Sequence, residues 1–159
     1  MVSVAERMKY DVRLFAVAAL AFATGVAAAR LPLPARAAAA PLQPAIIDVT
    51  AMTADSFPPP SAALPNLRSK TVVVADGMTA AVQTGTAPKH YHVDANEIQI
   101  ILTGTGTEWL GDHEVSVKPG TLVVIPKGTA HGGIVATAGQ LEWVSLKTPP
   151  QDPSDVHPL

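Results

Sequence analysis

The sequence predicts an all-β fold, an antiparallel sandwich or barrel, and three features lead to it. Within residues 70–148 apolar residues come in short runs or alternate with polar ones, and no stretch repeats at the period of an amphipathic helix. Ten of the eleven glycines fall between Gly77 and Gly139, so turns punctuate this unit closely. Prolines crowd its flanks, six in residues 41–65 and four in 149–158, while only Pro88, Pro119 and Pro126 lie between. A strand in the middle of a sheet needs every backbone N–H, which proline lacks.

The elements follow in order. Thr71–Ala75 is an apolar run ending at Asp76-Gly77, a hairpin-type pair. Glu97–Leu102 alternates and runs into Thr103-Gly104-Thr105-Gly106, which reads as its end. Thr107–Leu110 faces His113–Val117 across the two-residue turn Gly111-Asp112. Thr121–Ile125 stops at Pro126-Lys127-Gly128, and Gln140–Lys147 closes the unit. Ala45–Val49, in the proline-rich lead-in, offers one more strand.

The head of the chain has a different composition. Of 27 alanines, 14 lie in the first 40 residues, which carry five basic and two acidic residues. Leu14–Ala29 is an uninterrupted stretch of 16 uncharged, mostly apolar residues, short for a membrane span of roughly 20 but suited to a secretory leader. Small residues at Ala27–Ala29 and Ala37–Ala40 offer cleavage sites. The expected organisation is a leader over 1–40 cut between 29 and 40, a lead-in over 41–69, a barrel over 70–148 and a tail over 149–159. The mature protein is expected in the periplasm or outside the cell, with no stable membrane association after cleavage. Residues 41–159 carry six basic and eleven acidic residues, a poor surface for a phosphate backbone, so no nucleic acid is expected as a partner. The absence of cysteine excludes disulfides, thiolate metal sites and a cysteine nucleophile.

Chemistry concentrates in four residues. Strand residues two apart share a face, so His90 and His92 aim two imidazoles at one point if their segment is extended. Glu97 opens the next strand, and His131 follows the Pro126-Lys127-Gly128 turn. Three imidazoles and a carboxylate are a ligand set for one divalent transition metal ion. Alternation places Gln99 and Ile101 on the face of Glu97, making Gln99 a candidate for orienting a substrate or, equally, an interior amide satisfied by backbone. Trp109 and Trp143 are candidates for core or for pocket walls. Tyr91, out of phase with its neighbours, is expected to face away, and His113 and His157 read as solvated bystanders.

These residues resemble the two motifs of the cupin superfamily. Gly85, His90, His92, Glu97 and Gly104 match the first, with four residues between His92 and Glu97 and six between Glu97 and Gly104. Gly120, Pro126, Gly128 and His131 match the second. Gly85 stands one residue closer to His90 than in the commonest form, and Val135 stands where the second motif often has Asn. The resemblance implies a small six-to-eight-stranded jelly-roll barrel whose mouth holds a metal on His90, His92, Glu97 and His131. Fe, Mn, Ni, Co, Cu and Zn all suit such ligands, which leave one or two positions for water, dioxygen or a substrate oxygen. Single-domain cupins include dioxygenases, isomerases and lyases, and also proteins that only bind. The expectation is therefore an exported metalloenzyme acting on a small oxygenated molecule, with Glu97 and Gln99 as catalytic candidates. The alternative is a non-catalytic module binding metal, sugar or carboxylate. The resemblance also allows a homodimer. Beyond the ligands, the two motifs offer no further acid or base near the metal.

Overall fold

Eight strands, each antiparallel to its neighbours, form one curled sheet in the computed structural model. The described residues are 41–159 apart from Ala63 and Asp76, and the expected leader lies outside them. The strands are β1 (Leu67–Ala75), β2 (Met78–Gly85), β3 (His90–Tyr91), β4 (Asn96–Leu110), β5 (His113–Val117), β6 (Leu122–Ile125), β7 (His131–Thr148) and β8 (His157–Pro158). Among the described residues the only helical element is a 3₁₀ turn at Ala54–Ser56. This is the all-β barrel that the turn spacing and alternation predicted. Ala45–Val49 forms no strand. Its backbone is exposed and bounded by prolines, and Asp48 draws Thr50 and Ala51 into a local turn through its side chain.

Two long strands organise the sheet. β7 pairs with β2, β3 and β4, while β4 pairs with β5, β6 and β7. The expected break at Thr103–Gly106 is absent, because β4 continues through it as one 15-residue strand. Instead the β4–β7 register shifts repeatedly between Ile101 and Trp109. Here glycine permits close approach rather than chain reversal. A Cβ on Gly104 would stand 2.6 Å from the Gln140 carbonyl oxygen, and one on Gly106 2.3 Å from that of Val135. The bulges bend β4 and β7 together, which curls the sheet.

Register then sorts side chains between the two faces. Glu97 pairs with Ile125 and Lys147, Gln99 with Val123 and Ser145, and Ile101 with Trp143. Directly paired residues point the same way, so these side chains share the interior. Ile98 and Ile100 pair with Val124, Leu122, Leu146 and Val144 on the other face. The apolar core is Leu67, Ala87, Ile101, Val117, Val123, Ile125, Ile134, Leu141 and Trp143. Leu67, Ala87, Ile134 and Trp143 of this core border the cavity that holds the candidate site.

Candidate metal centre

His90 of β3 lies directly across from His131 of β7, which turns both imidazoles to one side. Their ring centroids are 4.3 Å apart, and the His92 ring is 5.1 Å from each. One ring nitrogen from each of the three lies within 4.8 Å of the others, a grouping able to hold a metal ion. The approach depends on Gly132, at φ +96°, where a Cβ would stand 2.8 Å from the Pro88 carbonyl oxygen and 3.2 Å from His90 Nδ1.

Backbone carbonyls orient all three rings. His90 Nδ1 donates to Pro88 O at 2.7 Å, His131 Nδ1 to Thr129 O at 2.9 Å, and His92 Nδ1 to Asp155 O. A carbonyl only accepts, so each Nδ1 carries a proton and each Nε2 is the ring nitrogen that faces inward. That is the arrangement in which histidines ligate metals. Glu97 Oε2 lies 3.2 Å from His92 Nε2 and 3.2 Å from His131 Nε2. His131 Nε2 is buried with no hydrogen-bond partner. Three inward-facing ring nitrogens and a carboxylate converging on one point, with an orphaned nitrogen among them, fit a divalent cation. The three histidines form the group, and Glu97 stands beside two of them.

The electrostatics suit that use. Burial pushes His90 down to about 4, so its ring stays neutral across the physiological range. Burial also pushes the Glu97 carboxyl up, but contacts with His131 and His92 and the charge of Lys147 outweigh it. The carboxyl is held well below its ordinary value.

Gln99 donates through Nε2 to Glu97 Oε1 at 3.2 Å, while its own Oε1 is buried and unpartnered. Trp143 is buried and borders the same cavity, donating to Gln83 Oε1 at 2.9 Å. Trp109 does not line the cavity; its ring lies under Lys89 Nζ, 4.0 Å from the centroid. His113 is exposed beside Asp112. His157 is no bystander. It stacks on Tyr91 at 5.1 Å and approaches Asp155 at 3.5 Å, because the tail returns as β8 beside β3.

Further ionisable groups reach the interior from outside the two motifs. Lys147, 4 % exposed, lies 3.3 Å from Glu97 Oε2 and donates to Ser145 Oγ at 3.2 Å; Ser145 in turn donates to Glu97 Oε1 at 2.7 Å. Glu108 is fully buried with both carboxyl oxygens unpartnered. Burial, helped by the charge of Glu97, raises it to about 7. Asp155 accepts from the backbone N–H groups of Val93, Asp94 and Ala95, fastening the loop between His92 and Glu97 to the tail. Lys147 and Ser145 were within reach of sequence reasoning, since alternation from Trp143 places both on its face. Asp155 and Glu108 carried no local signal.

The cavity lined by the three histidines, Glu97, Gln99 and Lys147 has a volume of about 110 Å³. A larger recess of about 680 Å³ near Arg68 and Gln140 has neither imidazole nor carboxylate in its lining.

A small antiparallel barrel encloses the three-histidine cluster. Residues 70–147 match the family model Cupin_2, described as Cupin domain, and over this span the barrel is similar to that family. The chain is similar in structure to KdgF from a Halomonas species, at 23 % identity and TM-score 0.50, over 55 % of this chain and 83 % of that one. It is similar to Streptomyces Pac13 with uridine, at 15 % identity and TM-score 0.52, over 59 % and 78 %. Pac13 is described as a nucleoside dehydratase. Thermus thermophilus TT1209 is also similar, at 18 % identity and TM-score 0.50, over 54 % and 86 %. At such identities the likeness concerns the fold. No curated protein matches the chain.

Proposed function

We propose that the chain is an exported cupin metalloenzyme of dioxygenase, isomerase or lyase type, acting on a small oxygenated molecule. The observation that carries this reading is the convergence of three carbonyl-anchored imidazoles on a cavity that also holds Lys147 and the free Oε1 of Gln99. A site that only stored a cation would need neither. His90, His92 and His131, with Glu97, are the residues that hold the ion, which supplies Lewis acidity to a substrate oxygen. Gln99 orients the substrate through Oε1. Glu97 stays ionised, and Ser145 Oγ, between Glu97 and Lys147, is placed to pass a proton. The surrounding apolar core keeps water out of the interior. Export rests on the 16-residue apolar stretch Leu14–Ala29 and the alanines after it.

A binding-only module is the second reading, favoured by the engagement of Glu97. Ser145, Gln99 and Lys147 all contact its carboxylate, which limits its freedom as a base. Protein reloaded with each candidate metal and offered enols, hydroxy acids and uronates separates the two. Metal-dependent turnover is expected, and saturable binding without turnover under every metal contradicts the enzymatic reading.

A further inference from the structure

Lys147 poses a problem that the metal reading leaves open. Its ammonium is buried in the cavity wall, with Glu97 Oε2 at 3.3 Å and Ser145 Oγ at 3.2 Å. Burying a cation is costly unless a charge compensates it. Glu97 compensates it only while that carboxylate is not shared. With a divalent ion on the histidines, Glu97 would face that ion as well as Lys147, and its carboxylate would no longer compensate the ammonium alone. Of the other buried acids, Asp155 is turned to the backbone N–H groups of Val93, Asp94 and Ala95, and neither it nor Glu108 lies within ion-pair distance of Lys147. A lysine here opposes cation binding; what it favours is an anion.

A second polar group narrows the class. Gln99 Oε1 is a buried acceptor without a donor on the same cavity, so the complementary ligand carries a hydroxyl. Size narrows it again. A volume of about 110 Å³ is room for about four waters, enough for a two- or three-carbon head group. The cavity shares Leu64, His90, Gln151 and Val156 with a recess of about 340 Å³, which is further lined by Pro88, Pro153 and Pro158. The rest of a longer molecule fits in that mostly apolar recess.

We propose that the site takes a small hydroxycarboxylate, its carboxylate paired with Lys147 Nζ and its hydroxyl donating to Gln99 Oε1. This rests on the metalloenzyme reading for the charge at the site, and assigns to Lys147 the selection of an anion.

The test uses glycolate, acetate and ethylene glycol, titrated into Co(II)-loaded protein and followed by visible absorbance and calorimetry. Glycolate is expected to bind more tightly than acetate, and both more tightly than neutral ethylene glycol. Lys147→Met should retain Co(II) and weaken glycolate at least about 10-fold while leaving ethylene glycol unchanged. Lys147→Arg, which keeps the charge, should stay within about 3-fold of wild type. Glycolate binding no tighter than ethylene glycol in the wild type overturns the proposal, whether or not the methionine variant folds. Equal glycolate affinity in wild type and Lys147→Met overturns it as well. Failure of the wild type to load Co(II) sinks the metal reading instead. The same glycolate and ethylene glycol titrations of metal-free protein then decide the role of Lys147 by the same criteria.

Discussion

Asp155→Ala tests whether the tail builds the metal centre or merely covers it. The carboxylate is 5 % exposed and accepts from Val93 N at 2.7 Å, Ala95 N at 3.0 Å and Asp94 N at 3.2 Å. Without it, the N–H groups of exposed Val93 and Asp94 turn to water, but that of Ala95, 2 % exposed, does not. One buried orphan costs about 1–3 kcal/mol, and two lost charge-assisted bonds about 1 kcal/mol each beyond rehydration, so the loss is about 3–5 kcal/mol. For a domain of this size that lowers Tm by at least about 10 °C. The second effect is functional. Asp155 O receives the Nδ1 proton of His92, and freeing the tail takes that partner away. Losing such a partner weakens metal binding by about 10–100-fold. Thermal scans with and without metal, and competition against a fluorescent chelator, read the two effects separately. Asp155→Asn, which keeps one acceptor oxygen, should fall between wild type and alanine in both. A lower Tm with wild-type metal affinity would refute the reasoning, because the tail would then be a structural strap alone.

Three further outcomes are expected. Glu108 is raised from 4.5 to about 7, so the folded state holds its proton where the unfolded chain releases it; this stability is complete below pH 4.5 and lost as pH rises through 7. Forcing the ionisation costs about 3 kcal/mol, so Glu108→Gln should remove a fall of that size from the stability of the metal-free protein between pH 4.5 and 8, read by urea denaturation. His90 works in the opposite sense. Its burial lowers it to about 4, so its contribution is complete above pH 6.5 and is lost as pH falls toward 4, a slope that His90→Gln should flatten in the same measurement. Gln99→Leu should keep the metal and reduce turnover or ligand affinity by about 10–100-fold, and no change in either would make Gln99 ordinary interior.

Much of this was legible from local pattern. Alternation placed Glu97, Gln99 and Ile101 on one face, and the ladder pairs them with Lys147, Ser145 and Trp143 inside the barrel. His90 and His92 meet as their two-residue spacing suggested, with ring centroids 5.1 Å apart, although β3 itself ends at Tyr91. Glycine was harder to read. In Thr103–Gly106 it suggested a strand end, whereas it lets β4 and β7 touch, a relation to residues about 30 positions away. The resulting bulges change the phase of β4, so the burial of Glu108 cannot be counted off from Glu97. The tail was the least legible part. The partners of Asp155 lie 60–62 residues earlier, and nothing near Pro153 signals them.

The central claim is that His90, His92 and His131 present three Nε2 lone pairs to one divalent ion. Titrating Co(II) into metal-free wild type and His131→Ala tests it directly. Wild type should bind one ion per chain with the absorption bands of nitrogen ligation, and loss of His131, whose Nε2 has no protein hydrogen-bond partner, should abolish stoichiometric binding without unfolding the barrel. Absence of a stoichiometric ion in the wild type, or undiminished binding in His131→Ala, would contradict the account.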